Sequence, residues 1–212
     1  MQKDKIILFD WGNIIEDNLT KPYVLMACAK TLAKCGAMDI KNIYARLDKY
    51  KGIKDSKIPT IEKLENWFNF LKEEFSLSCT YQEFINYYYL AWDEVPVFND
   101  VVDFEYSLKG KCQIGILSNL NVLDYHKLVK DLDLTKFDHV FLSFEMEASK
   151  PEDDIYELVM QKLKINPQNI LFFDDKVENI QTAKKYGWQA YQITGLELAK
   201  MQLIAEKFLN EK

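Results

Sequence analysis

Four short polar features of this chain could do chemistry together, and three of them follow apolar runs. Asp10 follows Ile6-Ile7-Leu8-Phe9, Ser118-Asn119 follows Ile114-Gly115-Ile116-Leu117, and Asp174-Asp175 follows Ile170-Leu171-Phe172-Phe173, while Lys150 immediately precedes Pro151. Taken singly, each has an ordinary explanation. Asp10 and Ser118-Asn119 could shape turns or cap helices, Lys150 could be a solvated lysine, and Asp174-Asp175 could open the next helix. Taken together they supply a carboxylate nucleophile, a hydroxyl, a cation and paired acids, a combination suited to phosphoryl transfer through an aspartyl-phosphate. A carboxylate attacks phosphorus usefully once the charge of the phosphate is neutralised. Magnesium held by Asp10 and the Asp174-Asp175 pair would supply that neutralisation and fix the line of attack. Ser118 and backbone N–H groups would hold the phosphate oxygens, and Lys150 would screen the charge shared by nucleophile and phosphate.

Such a set meets only if the apolar runs are parallel strands ending on one edge of one sheet. Each run is short and continuously apolar, which suits a strand buried on both faces. Helical spacing fills the gaps between them: about Asn99 to Leu108, Val122 to Leu132, Glu152 to Leu163 and Val177 to Tyr186, with further strands at Val140-Phe141-Leu142 and Ala190-Tyr191-Gln192-Ile193. Strand and helix in regular alternation predict an α/β fold, a doubly wound parallel sheet whose ligands bind beyond the carboxyl ends of the strands. From Thr20 to about Val95 the pattern is helical throughout. Leu25, Cys28, Ala29, Leu32 and Cys35 share one face before Gly36, and Ile40, Ile43, Tyr44, Leu47 and Tyr50 share another before Gly52. Thr60 is an expected N-cap, and Thr80 with Glu83 forms a capping box, each opening an aromatic-rich helix. The expected organisation is a core domain of residues 1–17 and 96–212 with a helical domain of residues 18–95 inserted after the first strand. The crossings at Asp17 to Thr20 and Val95 to Phe98 are expected hinges. Trp and Tyr at helical spacing read as the core of the insertion, with Tyr88 and Tyr89 the candidates to face the crevice.

Composition narrows the partners. The 212 residues carry 27 Lys and Arg against 33 Asp and Glu, a net charge of -6 with no basic cluster, which argues against nucleic acid and anionic membranes. No apolar segment of signal-peptide or membrane-spanning length is present, so a cytoplasmic location is expected. The four cysteines (Cys28, Cys35, Cys79, Cys112) form no CxxC pair, which predicts reduced thiols. With only His126 and His139 available, a metal would be held by oxygen, which again points to magnesium. A monomer is the default expectation.

In these residues the chain resembles the haloacid dehalogenase superfamily. The resemblance covers nearly the whole chain: Phe9-Asp10-Trp11-Gly12-Asn13, Leu117-Ser118-Asn119, Lys150-Pro151, and Phe172-Phe173-Asp174-Asp175 with Asn179, in that order. The helical stretch between the first two is similar to the family's C1 cap in subfamily I. The resemblance implies Asp10 as nucleophile and magnesium ligand, the Gly12 carbonyl as a further ligand, Ser118 and Asn119 as phosphate binders, and Lys150 as the family's cation. It implies that Asp175 binds the metal directly and Asp174 directly or through water, and that the substrate is a small phosphorylated metabolite, with a sugar phosphate as one candidate. One departure stands out. Most phosphatases of the superfamily carry a second Asp two residues after the nucleophile, as general acid and base, and here that position is Gly12. The D-x-G-N form resembles the branch that includes the glucose-1-phosphate phosphatase-like enzymes. Two other readings stay open: a dehalogenase-type hydrolase attacking carbon, which lacks the second Asp as well, and a non-catalytic binding protein that keeps the fold.

Overall fold

A computed structural model describes residues 4–47 and 61–211, the side chains from residue 63 onward in the second segment. The first strand, β1 (Ile6–Phe9), has four fully buried side chains. Its four residues alternate between two separate apolar layers, Ile7 and Phe9 in one, Ile6 and Leu8 in the other, as the two-residue period of a strand requires.

Helices α1 (Tyr23–Lys34), α2 (Ile43–Leu47), α3 (Ile61–Phe75) and α4 (Tyr81–Trp92) follow, with no strand among the described residues of this stretch. They supply most of one apolar cluster, from Leu32, Leu64, Phe68, Leu71, Phe84 and Trp92 among others, which Leu123 joins from farther along the chain. Gly36 takes φ +91° and ends α1, and the Thr80–Glu83 capping box opens α4. The helix expected from Ile40 starts later, because Asn42 takes φ +55° and α2 begins only after it. Tyr50, Gly52 and Thr60 lie outside the described residues.

Beyond this stretch run α5 (Asn99–Ser107), β2 (Gln113–Ser118), α6 (Asp124–Asp131), β3 (His139–Leu142), a one-turn α7 (Ser143–Met146), α8 (Asp153–Leu163), β4 (Ile170–Asp174), α9 (Val177–Lys185) and β5 (Gln189–Gln192). The helical turn that leads into α6 starts at Val122, as the sequence pattern suggests, with Tyr125 N–H donating to Asn121 O at 3.2 Å. Asn121 Oδ1 accepts the backbone N–H groups of Leu123 and Asp124 at 2.8 and 3.0 Å, so its side chain caps the helix there. A further helix, α10 (Leu198–Asn210), follows β5, with Met201, Ala205 and Phe208 burying one face at helical spacing.

The five strands form one parallel sheet in the order β3-β2-β1-β4-β5, a doubly wound arrangement. One face is covered through Val101 of α5, Leu128 of α6 and Met201 and Phe208 of α10; the other through Ile155 and Val159 of α8 and Ile180 of α9. Strand β1 is central, with Phe9 in register with Ile116 on β2 and Phe173 on β4. Strand order reverses there, so the residues just after β1, β2 and β4 share one crevice. The chain leaves and re-enters the sheet domain side by side: Asp17 N–H donates to Pro96 O at 2.9 Å and Phe98 N–H to Ile15 O at 2.8 Å. Gly195 packs against the same loop, its N–H donating to Asn13 O at 2.8 Å, where a Cβ would meet Ile14 O at 2.6 Å.

Candidate active site

Asp10 is the residue after β1, Ser118 ends β2 and Asp174 ends β4, so the sheet alone sets three of the expected residues within reach. The carboxylates of Asp10, Asp174 and Asp175 approach closely enough that one oxygen of each lies within 4.8 Å of the others. Asp10 is buried, and its Oδ1 accepts three donors: Trp11 N–H at 2.7 Å, Ser118 Oγ at 2.7 Å and Lys150 Nζ at 2.9 Å. Its Oδ2 accepts no hydrogen bond from the described residues.

Lys150 is equally constrained. Its ammonium donates to Asp10 Oδ1 and, at 2.6 and 2.8 Å, to Asp174 Oδ2 and Leu117 O, which uses all three N–H groups. Burial lowers its pKa, but the two carboxylates outweigh that and hold it above the ordinary lysine value. The Lys150–Pro151 peptide is cis. Asn119 reaches this loop, its Nδ2 donating to Lys150 O at 2.7 Å and its Oδ1 accepting Lys150 N–H at 2.9 Å. The side chain expected to bind phosphate is thus engaged in placing the lysine.

The paired acids differ from one another. Asp174 is fully buried and accepts from Asn179 Nδ2 on both oxygens at 2.9 Å and from Lys176 N–H at 2.8 Å. Asp175 is half-buried and faces the crevice, with Asn13 Nδ2 donating to it at 2.8 Å. Burial, first, and the charge of Asp10 raise the pKa of both carboxyls, against Lys150 at Asp174 and against the Asn13 hydrogen bond, Lys176 and Lys150 at Asp175. Three carboxylates against one ammonium leave an excess of negative charge in a buried place, and their hard oxygen donors suit a small divalent cation.

Asn13 was legible as part of the first motif. It takes φ +60°, a conformation asparagine tolerates better than most residues, and this aims its amide at Asp175. Two other crevice residues carry no sequence signal at all. Glu16 is buried, its Oε1 accepting Trp11 Nε1 at 3.1 Å; burial above all, with Asp124 and Asp10, pushes its carboxyl up to about 7. Asp124, at the start of α6, holds Tyr88 Oη and Asn121 Nδ2, and burial pushes its carboxyl up to about 6. Gly12 lines the same crevice, of about 170 Å³, beside them. Tyr88 and Tyr89 do not: Tyr88 bonds Asp124 from the far side, and Tyr89 stacks on His126 with ring centroids 4.2 Å apart.

The model of the haloacid dehalogenase-like hydrolases matches residues 20–187. The chain belongs to that family. It is 23% identical to the D-ribitol-5-phosphate phosphatase of Bacteroides thetaiotaomicron over 206 residues, 89% of this chain and 91% of the relative. Among solved structures, it resembles a HAD family enzyme of the same organism, bt-2542, in complex with magnesium and inorganic phosphate. The TM-score is 0.71 at 21% identity, covering 91% of this chain and 96% of that one. It also resembles an L-2-haloacid dehalogenase of Xanthobacter autotrophicus with chloropropionic acid covalently bound, with a TM-score of 0.61 at 16% identity, covering 96% and 84%. At these identities the structural likenesses concern the fold. No helix among the described residues is long and apolar enough to cross a membrane.

Proposed function

We propose that this hydrolase is a magnesium-dependent phosphatase that cleaves a small phosphate monoester through an aspartyl-phosphate on Asp10. The observation that carries this reading is the asymmetry of Asp10. Three donors fix its Oδ1 and leave Oδ2 without a hydrogen bond from the described residues, and one of its oxygens lies within 4.8 Å of oxygens of Asp174 and Asp175, a set that fits a divalent cation. Asp10, Asp174, Asp175 and the Gly12 carbonyl would hold magnesium, which when bound neutralises phosphate charge.

In this reading the residues divide the work. Asp10 Oδ2 attacks phosphorus and the alcohol leaves; water then attacks the phosphorus of the aspartyl-phosphate and inorganic phosphate departs. Lys150 is held against Asp10 and offsets charge shared by nucleophile and phosphate. Ser118 orients the carboxylate, its hydroxyl next to where the phosphate oxygens settle, and Asn119 acts on phosphate through its grip on the Lys150 loop. Residues 18–95 serve as a cap over the core of residues 1–17 and 96–212, a division supported by the apolar cluster that α1–α4 build largely from their own side chains, with Leu123 the buried member from the core. Gly12 offers no carboxyl to protonate the leaving group, so acyl phosphates and sugar 1-phosphates, whose leaving groups need little help, suffer least. The likeness to the D-ribitol-5-phosphate phosphatase supports the phosphatase reading. Attack of Asp10 on carbon, as in a dehalogenase, has no use for three convergent carboxylates.

The test is phosphate release from p-nitrophenyl phosphate and acetyl phosphate, with and without magnesium, for the wild type beside Asp10→Asn. Metal-dependent release that vanishes in the variant is the expected result. Silence of the wild type on both esters, with magnesium binding intact, overturns it in favour of a binding protein.

A further inference from the structure

A second cavity, of about 160 Å³, lies between α1, α3 and α4 on one side and Asn121 and Asp124 at the start of α6 on the other. Its carbon wall comes from Leu32, Trp67, Leu71, Phe84 and Trp92. Asp124 belongs to both its lining and that of the crevice, so the two spaces meet at one side chain. Its other oxygen-bearing groups are already committed. Thr31 Oγ1 donates to Ala27 O at 2.9 Å, Tyr88 Oη donates to Asp124, Asn121 Nδ2 donates to Asp124 at 2.6 Å, and Asn121 Oδ1 caps α6.

This inventory selects between classes of leaving group. A polyol buried here would need a partner for each hydroxyl, and the wall offers only the remaining acceptor positions of Asp124, Thr31 and Tyr88 against a lining that is otherwise mostly carbon; unpaired polar groups are what a site rejects most strongly. A hydrocarbon needs no partner, and an apolar cavity of about 150 Å³ accommodates a benzene ring. The wall is aromatic on several sides, which suits a ring in edge or offset contact.

We propose that this cavity receives a ring-sized apolar group on the alcohol of the ester cleaved in the adjoining crevice, so that the substrate is an aryl- or cycloalkyl-bearing phosphate monoester rather than a polyol phosphate. The assignment rests on the phosphatase reading above and departs from the polyol substrate of the relative. Phosphate sits at Asp10, the ring lies between α1, α3 and α4, and Asp124 stands at the junction.

Two measurements test it separately. Benzyl alcohol titrated into the wild type, followed by NMR, reports on the cavity without any chemistry. It is expected to shift signals of Trp67 and Trp92, and Cys28→Phe, which places a ring into the same lining, is expected to abolish the shifts. Steady-state rates then compare benzyl phosphate with ribitol 5-phosphate. The wild type is expected to favour benzyl phosphate in kcat/KM by at least about 10²-fold, given that a single methylene in an apolar pocket is worth roughly 10- to 200-fold. That preference should fall at least tenfold in Cys28→Phe; Leu32→Phe repeats the comparison if circular dichroism shows the first variant misfolded. Hydrolysis that favours ribitol 5-phosphate, with no benzyl alcohol shifts, overturns the cavity assignment and leaves the phosphatase reading intact. Benzyl alcohol shifts without hydrolysis of any ester overturn the phosphatase reading and this substrate assignment with it.

Discussion

Lys150→Met is the substitution whose cost is most directly worked from the structure. The ammonium lies 2.9 Å from Asp10 and 2.6 Å from Asp174 with almost no exposure of any of the three side chains. At an effective dielectric constant of about 20, each contact represents roughly 6 kcal/mol of gross attraction. The desolvation of the buried ions offsets much of that, and removal of one partner from a buried charge pair typically costs about 3–5 kcal/mol, because the other charge stays behind. Here two carboxylates stay behind, so the upper half of that range applies. Methionine fills most of the lysine stem, which keeps the cavity contribution small. With a urea m-value of about 2 kcal/mol/M, the unfolding midpoint in EDTA should drop by roughly 2 M. Added magnesium should recover more stability in the variant than in the wild type, since the cation meets a more negative cluster. A midpoint in EDTA within about 0.5 M of the wild type would refute the reasoning and mean that water already screens these charges.

Three further outcomes follow from individual contacts. Gly12→Asp restores a carboxyl where most phosphatases of the family have one, and a Cβ there meets nothing within 4 Å; it should raise kcat on an alkyl phosphate by up to about 10²–10⁴ but change acetyl phosphate little, and an unchanged ratio between the two esters would show that the proton is supplied elsewhere. Asn179→Ala removes the amide that holds both oxygens of Asp174, and magnesium affinity measured by calorimetry should weaken by about 10–100-fold; an unaltered affinity would show that Asp174 orients itself. Glu105 of α5 is fully buried with neither carboxylate oxygen bonded, and burial raises its pKa well above the ordinary value of 4.5. Its folded form keeps the proton longer than the unfolded chain, so this contribution is complete below about pH 4.5 and is lost as pH rises toward the folded value. Glu105→Leu should therefore gain more stability over wild type at pH 8 than at pH 4, and equal gains at both would disprove it.

Much of this protein was legible because the relevant signals are local. Ile6 to Phe9, Ile114 to Leu117 and Ile170 to Phe173 announce buried strands by their own chemistry, and the polar residue that stops each run falls on one edge once the strands are parallel. The capping box at Thr80 and the stop at Gly36 are likewise written in neighbouring residues. The late start of α2 has a local cause too, a left-handed Asn42, which the periodicity of apolar residues does not register. What tertiary structure alone decided is the state of the polar groups. Sequence places Asn119 beside Ser118, but only the fold turns its amide onto the Lys150 loop. Nothing in the order of residues marks Glu16 and Asp124 as carboxyls of the crevice, because what distinguishes them is burial and mutual charge across more than a hundred residues. The cavity between α1, α3 and α4 is of the same kind: the sequence shows an aromatic-rich helical stretch, while the space left between its rings depends on how helices meet.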